Sequence, residues 1–266
     1  MLKNFADYLA ARTRYLGLDR TRCAALILGT VVAASMLLSA CGGAGAAATT
    51  EESYITGSGK MVTRDFDMKD FTGLKVGSSF KVDVVRSDKF AVSITADDNV
   101  INLVEVSKQG ETLNIRIQDG AYRDVDYNAI VEMPSLNELT INEASNCTLS
   151  GFESQGDVKL VLSGSSILTG RIEANYLSLN MTEATNATLG GTTSSLVMHG
   201  EGSSVAKLGD LNAGIADIQL RSASTATVSV KDSISADLTS SSQLYYLGNP
   251  TWEKKTVDSS SSMTRK

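Results

Sequence analysis

Six times between residues 144 and 244 the chain repeats one four-residue phrase: a tiny residue, Ser or Thr, a polar residue, an apolar residue. The copies are Ala144-Ser145-Asn146-Cys147, Gly164-Ser165-Ser166-Ile167, Ala184-Thr185-Asn186-Ala187, Gly202-Ser203-Ser204-Val205, Ala223-Ser224-Thr225-Ala226 and Ser241-Ser242-Gln243-Leu244. Their starts lie 20, 20, 18, 21 and 18 residues apart. A period near 20 is that of a coil of strands stacked on copies of itself.

The segments between the marks are strand-like. Val158, Leu160 and Leu162 alternate with polar residues, as do Leu177, Leu179 and Met181 before the next copy. Shorter alternating runs such as Leu149, Leu189 and Val228 follow the phrase. Period-two alternation buries one face of a strand and wets the other. One repeat has too few apolar groups to make its own core, so each coil must shelter its neighbours. The fold expected is all-β: a single-stranded, right-handed parallel β-helix (β-solenoid) with about 18–21 residues per coil, its hand taken from that of parallel crossovers. Gly151, Gly170, Gly190, Gly209 and Gly248 recur after the second strand and are expected at a corner of positive φ.

Earlier segments carry the same signature. Phe80, Val82 and Val84 alternate with Lys81 and Asp83, and Gly77-Ser78-Ser79-Phe80 repeats the phrase. Near the other end, Ser260-Ser261-Ser262-Met263 follows Ser241 by 19 residues. This tail either closes a further turn or frays. Tyr245, Tyr246 and Trp252 are placed to cap an open core end.

The N-terminal residues have another character. Lys3, Arg12, Arg14, Arg20 and Arg22 precede an apolar stretch from Ala24 to Leu38. A basic lead, a short apolar run and small residues make a secretory signal over residues 1–40. Leu38-Ser39-Ala40-Cys41 resembles the lipobox of bacterial lipoproteins, which implies acylation of Cys41 as the new N-terminus. Residues 41–55 read as a flexible tether and 56–266 as the folded domain. Loss of residues 1–40 removes five basic and two acidic residues, which moves the net charge from −6 to −9. So acidic a chain repels nucleic acid and anionic lipid, so attachment to a membrane is assigned to the acyl chains. Gly42 after the cysteine lacks the aspartate that resembles an inner-membrane retention cue, which favours the outer membrane.

The search for chemistry yields little. His199 is the one histidine and falls at an outward strand position. No Gly-x-Ser-x-Gly elbow or phosphate-cradling glycine loop accompanies it. Cys147 is the cysteine left after Cys23 and Cys41 are set aside, and it sits in the apolar slot of the phrase, as core filler. No metal site, cofactor or catalytic residue is expected. The regular polar feature is the ladder Ser145, Ser165, Thr185, Ser203, Ser224 and Ser242. It is either a ligand-facing strip suited to glycans or a product of turn chemistry, in which hydroxyls bond nearby backbone groups.

Val62-Thr63-Arg64-Asp65-Phe66, Phe71 and Leu74-Lys75-Val76 are similar to the opening of the bacterial head GIN domain family. Val92 to Asn99, Leu113-Asn114-Ile115 and Leu162-Ser163-Gly164-Ser165 resemble its later landmarks. Glu143-Ala144 and Glu183-Ala184 depart from its Ser-Gly turns. The resemblance covers about residues 58–266. It implies a right-handed β-helix behind a lipoprotein signal in Gram-negative envelopes, with an adhesin role and no established site residues. The expected function is therefore a non-catalytic, lipid-anchored envelope protein acting as an adhesin or binding module for a glycan or envelope protein. A self-associating structural protein, homo-oligomeric through its ends, is the alternative. A carbohydrate-active β-helix enzyme is a third reading.

Overall fold

The computed structural model describes residues 54–266. The expected signal peptide (1–40), Cys41 and the tether up to residue 53 lie outside the described residues. The chain enters through β1 (Ile55–Thr56) and β2 (Met61–Phe66), then lays down β3 (Gly73–Val76) and β4 (Lys81–Arg86). It continues through β5 (Ala91–Asp97), a 3-10 turn (Ile101–Leu103), β6 (Val104–Gln109), β7 (Thr112–Ile117), β8 (Tyr122–Arg123) and β9 (Tyr127–Met133). β10 (Glu138–Ile141) opens the regular part, followed by β11 (Asn146–Leu162), β12 (Ile167–Met181), β13 (Asn186–Gly200), β14 (Val205–Leu220) and β15 (Thr225–Leu238). β16 (Gln243–Leu247), β17 (Thr251–Val257) and β18 (Ser262–Arg265) finish it.

These strands stack into two parallel sides. The first runs β7, β3, β10, β11, β12, β13, β14, β15, β17. The second runs β9, β4, β11, β12, β13, β14, β15, β16, β18. Each long strand bends in its middle and serves both sides, the second with its early residues and the first with its late ones. The expected solenoid is the fold. The serine-rich tail pairs in register and completes a further coil, with Met263 opposite Leu244.

The first coils depart from chain order. β3 and β4 are made first, yet β7 and β9 stack outside them, and the chain then passes over them to β10.

Inward residues form continuous rows. Leu113, Leu74, Leu139, Leu160, Leu179, Met198, Ile218 and Ala236 face one another rung by rung, all 0–1% exposed. Opposite them run Val82, Cys147, Leu168, Ala187, Ala206, Ala226 and Leu244. At about 4.8 Å per rung, every side chain in a row touches its counterparts. Each fully buried aliphatic is worth roughly 1.5–3 kcal/mol.

Two features turn the chain. At the first corner two successive residues take φ near +60°: Ser78 and Ser79, Gly164 and Ser165, Ser222 and Ala223, Ser240 and Ser241 among them. Such pairs make tight turns whose twist suits strands. At the second bend glycine is obligatory where coils touch: a Cβ on Gly191 would lie 1.9 Å from the Ile172 carbonyl oxygen. Gly151, Gly170 and Gly248 have the expected positive φ there, but Gly190 and Gly209 do not; Gly191 takes that role.

The ends differ from the shaft. At one end β2 pairs antiparallel with β5, β5 with β9, and β6 with β7. At the other, Tyr246 and Trp252 meet edge-to-face at 5.3 Å over the last coil. Tyr245 points outward on the second side under the Lys266 ammonium, 4.2 Å from its ring centre.

Candidate functional site

The hydroxyl ladder is a feature of the interior. Ser145, Thr185, Ser224 and Ser242 are 0% exposed. Ser165 and Ser203 instead sit in the turn at φ 61° and 67°, exposed, and the following Ser166 and Ser204 take the buried rung. The inward column is therefore Ser145, Ser166, Thr185, Ser204, Ser224 and Ser242, the arrangement that turn chemistry gives; of the ladder positions named from the sequence, Ser165 and Ser203 face outward. Its cause is the turn. The left-handed residues of the turn leave the next side chain pointing back beneath the loop, where in three coils its hydroxyl reaches the carbonyl three residues earlier. Ser166 donates to Ser163 O at 2.8 Å, Ser224 to Arg221 O at 2.6 Å and Ser242 to Thr239 O at 2.7 Å. Ser204 and Ser224 hydroxyls lie 3.3 Å apart. Ser145 Oγ and Thr185 Oγ1 have no partner among the described residues.

Among the described residues the cysteine and the histidine are poorly placed for reactive chemistry. Burial, with a smaller contribution from Asp83, pushes the Cys147 thiol up to about 12, where no useful thiolate forms at neutral pH. His199 is exposed on the first side, and its rung neighbours are Asn180 and Gln219, not a carboxylate. Among the described residues no group of three or more His, Cys, Asp or Glu could hold a metal ion.

The outer surface is where the molecule meets its surroundings. On the second side Thr148, Thr169 and Thr188 stand in one outward row, with Thr169 Oγ1 3.5 Å from Thr148 Oγ1. On the first side the register joins Asn114, Lys75, Thr140, Val161, Asn180, His199 and Gln219 into another row. Two depressions lie along it. One, of about 220 Å³, is lined by Asn180, Thr182, His199, Glu201, Gln219 and Arg221. The other, of about 390 Å³, lies beside the Asn142–Glu143 corner and includes Lys75, Asn114, Arg116 and Gly77.

In that second depression Arg116 Nη2 reaches Glu105 Oε2 at 2.6 Å and Nη1 reaches Asp119 Oδ1 at 3.7 Å. Glu143 Oε2 accepts from the Ser78 backbone N–H at 2.8 Å. Asn142 Oδ1 is buried and has no hydrogen-bond partner among the described residues. The sequence marked Ser78 and Glu143 as turn residues, but it marked none of these residues as part of a site. Lys75 and Asn114 come together with Asn142 because coils out of chain order stack there, and local sequence carries no sign of that order.

A family model described as "Putative auto-transporter adhesin, head GIN domain" matches residues 70–250. Among solved structures, a "putative adhesin" from Bacteroides fragilis superposes with a TM-score of 0.72 at 20% identity, covering 79% of this chain and 98% of that one. A "putative adhesin" from Parabacteroides merdae gives 0.64 at 14% identity, over 80% and 99%. A "putative lipid binding protein" from Parabacteroides distasonis gives 0.62 at 19% identity, over 80% and 100%. At such identities the likeness establishes the fold alone. No curated protein matches the chain.

Proposed function

The chain belongs to the head GIN domain family, and on that premise we propose that it is a non-catalytic adhesion module of the bacterial cell envelope. The observation that carries the reading is the closed, inert interior beneath an outer surface of regularly spaced polar rows. Apolar rows fill the coil from end to end, the buried hydroxyls are turned inward, and the cysteine is held as a thiol. What remains for function is the outside of a rod, with hydroxyl, amide and charged groups set at the rung spacing of about 4.8 Å. Solenoids use such extended surfaces for binding.

The module is held at the outer membrane by acyl chains on Cys41. A glycan or an envelope protein is the partner this surface suits. Nucleic acid is disfavoured by the acidic charge.

Two measurements test the reading. Beads coated with the full chain should attach saturably to envelope preparations; attachment no greater than that of bare beads overturns it. Cys41→Ala should release the protein from the membrane fraction on cell fractionation, whereas unchanged membrane retention removes the lipid anchor from the account.

A further inference from the structure

We infer that the C-terminal tip of the rod docks an acidic polysaccharide, an inference that rests on the adhesion reading and names its ligand class. What carries it is a segregation of charge. Residues 54–250 hold 15 Lys and Arg against 24 Asp and Glu, a net side-chain charge of −9; residues 251–266 hold four against two, a net of +2. Those last residues form β17 and β18, the terminal strands of the two sides. The second side is nine strands deep, so its ends lie about 38 Å apart at the spacing of paired strands. Charges are screened over about 8 Å in physiological salt, so most of the shaft's negative charge is not felt at the tip.

The cations are spread over the whole tip. On β17, Lys255 stands in an inward row beyond Ala236, and Lys254 stands outward opposite Ser235. On β18, Arg265 stands beyond Tyr246, and Lys266 follows it over the outward ring of Tyr245. All four are exposed. Their neighbours position them more than they neutralise them. Lys255 Nζ lies 5.3 Å from the Trp252 ring centre, and Lys266 Nζ 4.2 Å from that of Tyr245. An aromatic face holds an ammonium in place and leaves its net charge intact. Arg265 is in no ion pair among the described residues. Lys254 alone of the four faces a carboxylate, Asp237 Oδ2 at 3.7 Å. Of the tip's two acids, Asp258 is already bound to the Ser240 N–H and the Ser260 hydroxyl.

Charged side chains of either sign keep a further strand from pairing, so edge protection does not require this excess of cations on an otherwise acidic chain. A polyanion accounts for the sign. The shaft repels it and the tip attracts it, which steers it to end-on contact. Trp252, Val257 and Met263, half-buried on the same two strands, put apolar surface beside the cations. A uronic acid unit offers both counterparts: a carboxylate for Lys or Arg, and the C–H face of its ring for the apolar side chains. A chain of such units engages several of the four cations at once.

The test uses beads coated with the full chain, washed free of detergent, and offered labelled polygalacturonate, neutral dextran, poly-L-glutamate or phosphatidylglycerol vesicles. Polygalacturonate should be captured saturably, more weakly as salt is raised, and in preference to the other three. Lys255→Glu with Arg265→Glu should weaken that capture about tenfold or more. Lys75→Glu with Lys207→Glu, two exposed shaft positions that change the net charge equally, should leave it within about twofold. No capture of polygalacturonate overturns the inference, and vesicle capture abolished by the tip variant would then mark the tip as a membrane contact. Equal capture of dextran or poly-L-glutamate, or an equal loss in the shaft variant, also overturns it. Attachment to envelope preparations that persists in the tip variant would retain the adhesion reading and reject this end alone.

Discussion

Beneath the first-corner turns from Glu143 to Ser241 a small polar side chain is buried, and its bonding varies from coil to coil; at the Ser78–Ser79 turn Phe80 takes that place. Ser224 donates to Arg221 O at 2.6 Å, while Thr185 Oγ1 has no partner. Ser224→Ala should therefore lower stability by about 1 kcal/mol in urea unfolding, and Thr185→Val should raise it by a similar amount. Equal losses in both would contradict the assigned bonds. Gly191→Ala should be more severe, since its Cβ would strike the Ile172 carbonyl at φ +121°. A loss of about 3 kcal/mol, or a Tm lower by roughly 6–12 °C, is expected by thermal melting. Cys147 should resist thiol reagents in the folded chain and react once unfolded, in keeping with its raised pKa. The apolar rows were readable from alternation alone, Cys147 included. The buried hydroxyl column was readable only to within one residue. Gly164-Ser165-Ser166 and Gly202-Ser203-Ser204 each offer two serines, and a tiny first residue selects the wrong one, because the turn accepts Gly and Glu equally at its first position.

At the level of the turn, a carboxylate from one coil can fasten the corner of the coil before it. Glu183 Oε2 accepts from the Gly164 N–H at 2.6 Å, and Asp258 Oδ2 from the Ser240 N–H at 2.7 Å. The Ser240 bond, followed by the Ser261 and Ser260 hydroxyls, holds the Asp258 carboxyl down to about 2. Because the folded value lies below the ordinary carboxylate value, the stabilisation is complete above about pH 4 and is lost as pH falls through about 2. Amide exchange at Ser240 should therefore stay slow from pH 5 down to about 3, once corrected for intrinsic rates, and speed up below. Asp258→Asn should remove that pH dependence. Exchange at Ser240 that is already fast at pH 5 would reject the carboxylate's role. The alternating strands of residues 60–133 were visible in the sequence, but their stacking order was not. Alternation says which face is buried and nothing about which strand lies alongside. β7 and β9 reach the outside of β3 and β4 only through the intervening excursion, so the cleft at Lys75 and Asn142 could not be assembled from spacing.

For the whole molecule the question is whether the stack has an end. The last coil answers with edge defences of the kind that blunt strand pairing. Glu253 bulges out between Trp252 and Lys254, Lys255 stands opposite Ala236 in an inward row, and Arg265 stands opposite Tyr246. A further coil would have to place apolar side chains against these cations. The antiparallel β2 and β6 interrupt the parallel pattern at the other end. We therefore expect one mass across concentration in light scattering, against the reading of a structural protein that grows through its ends. Removing residues 251–266 should uncover the Leu238 and Leu244 rows and produce concentration-dependent assembly; a truncated chain that stays monomeric would show the last coil is not what stops growth. The register of the coils underlies every position discussed, and it can be read chemically. In a Cys147→Ala background, Thr169→Cys with Thr188→Cys places two thiols on adjacent rungs at about 4.8 Å, within disulfide reach. Mild oxidation should join them. A slip of one residue, which is what the 20-residue spacing of the phrase at this step would imply, turns the side chains to opposite faces. Two free thiols after oxidation would contradict the stacking described here.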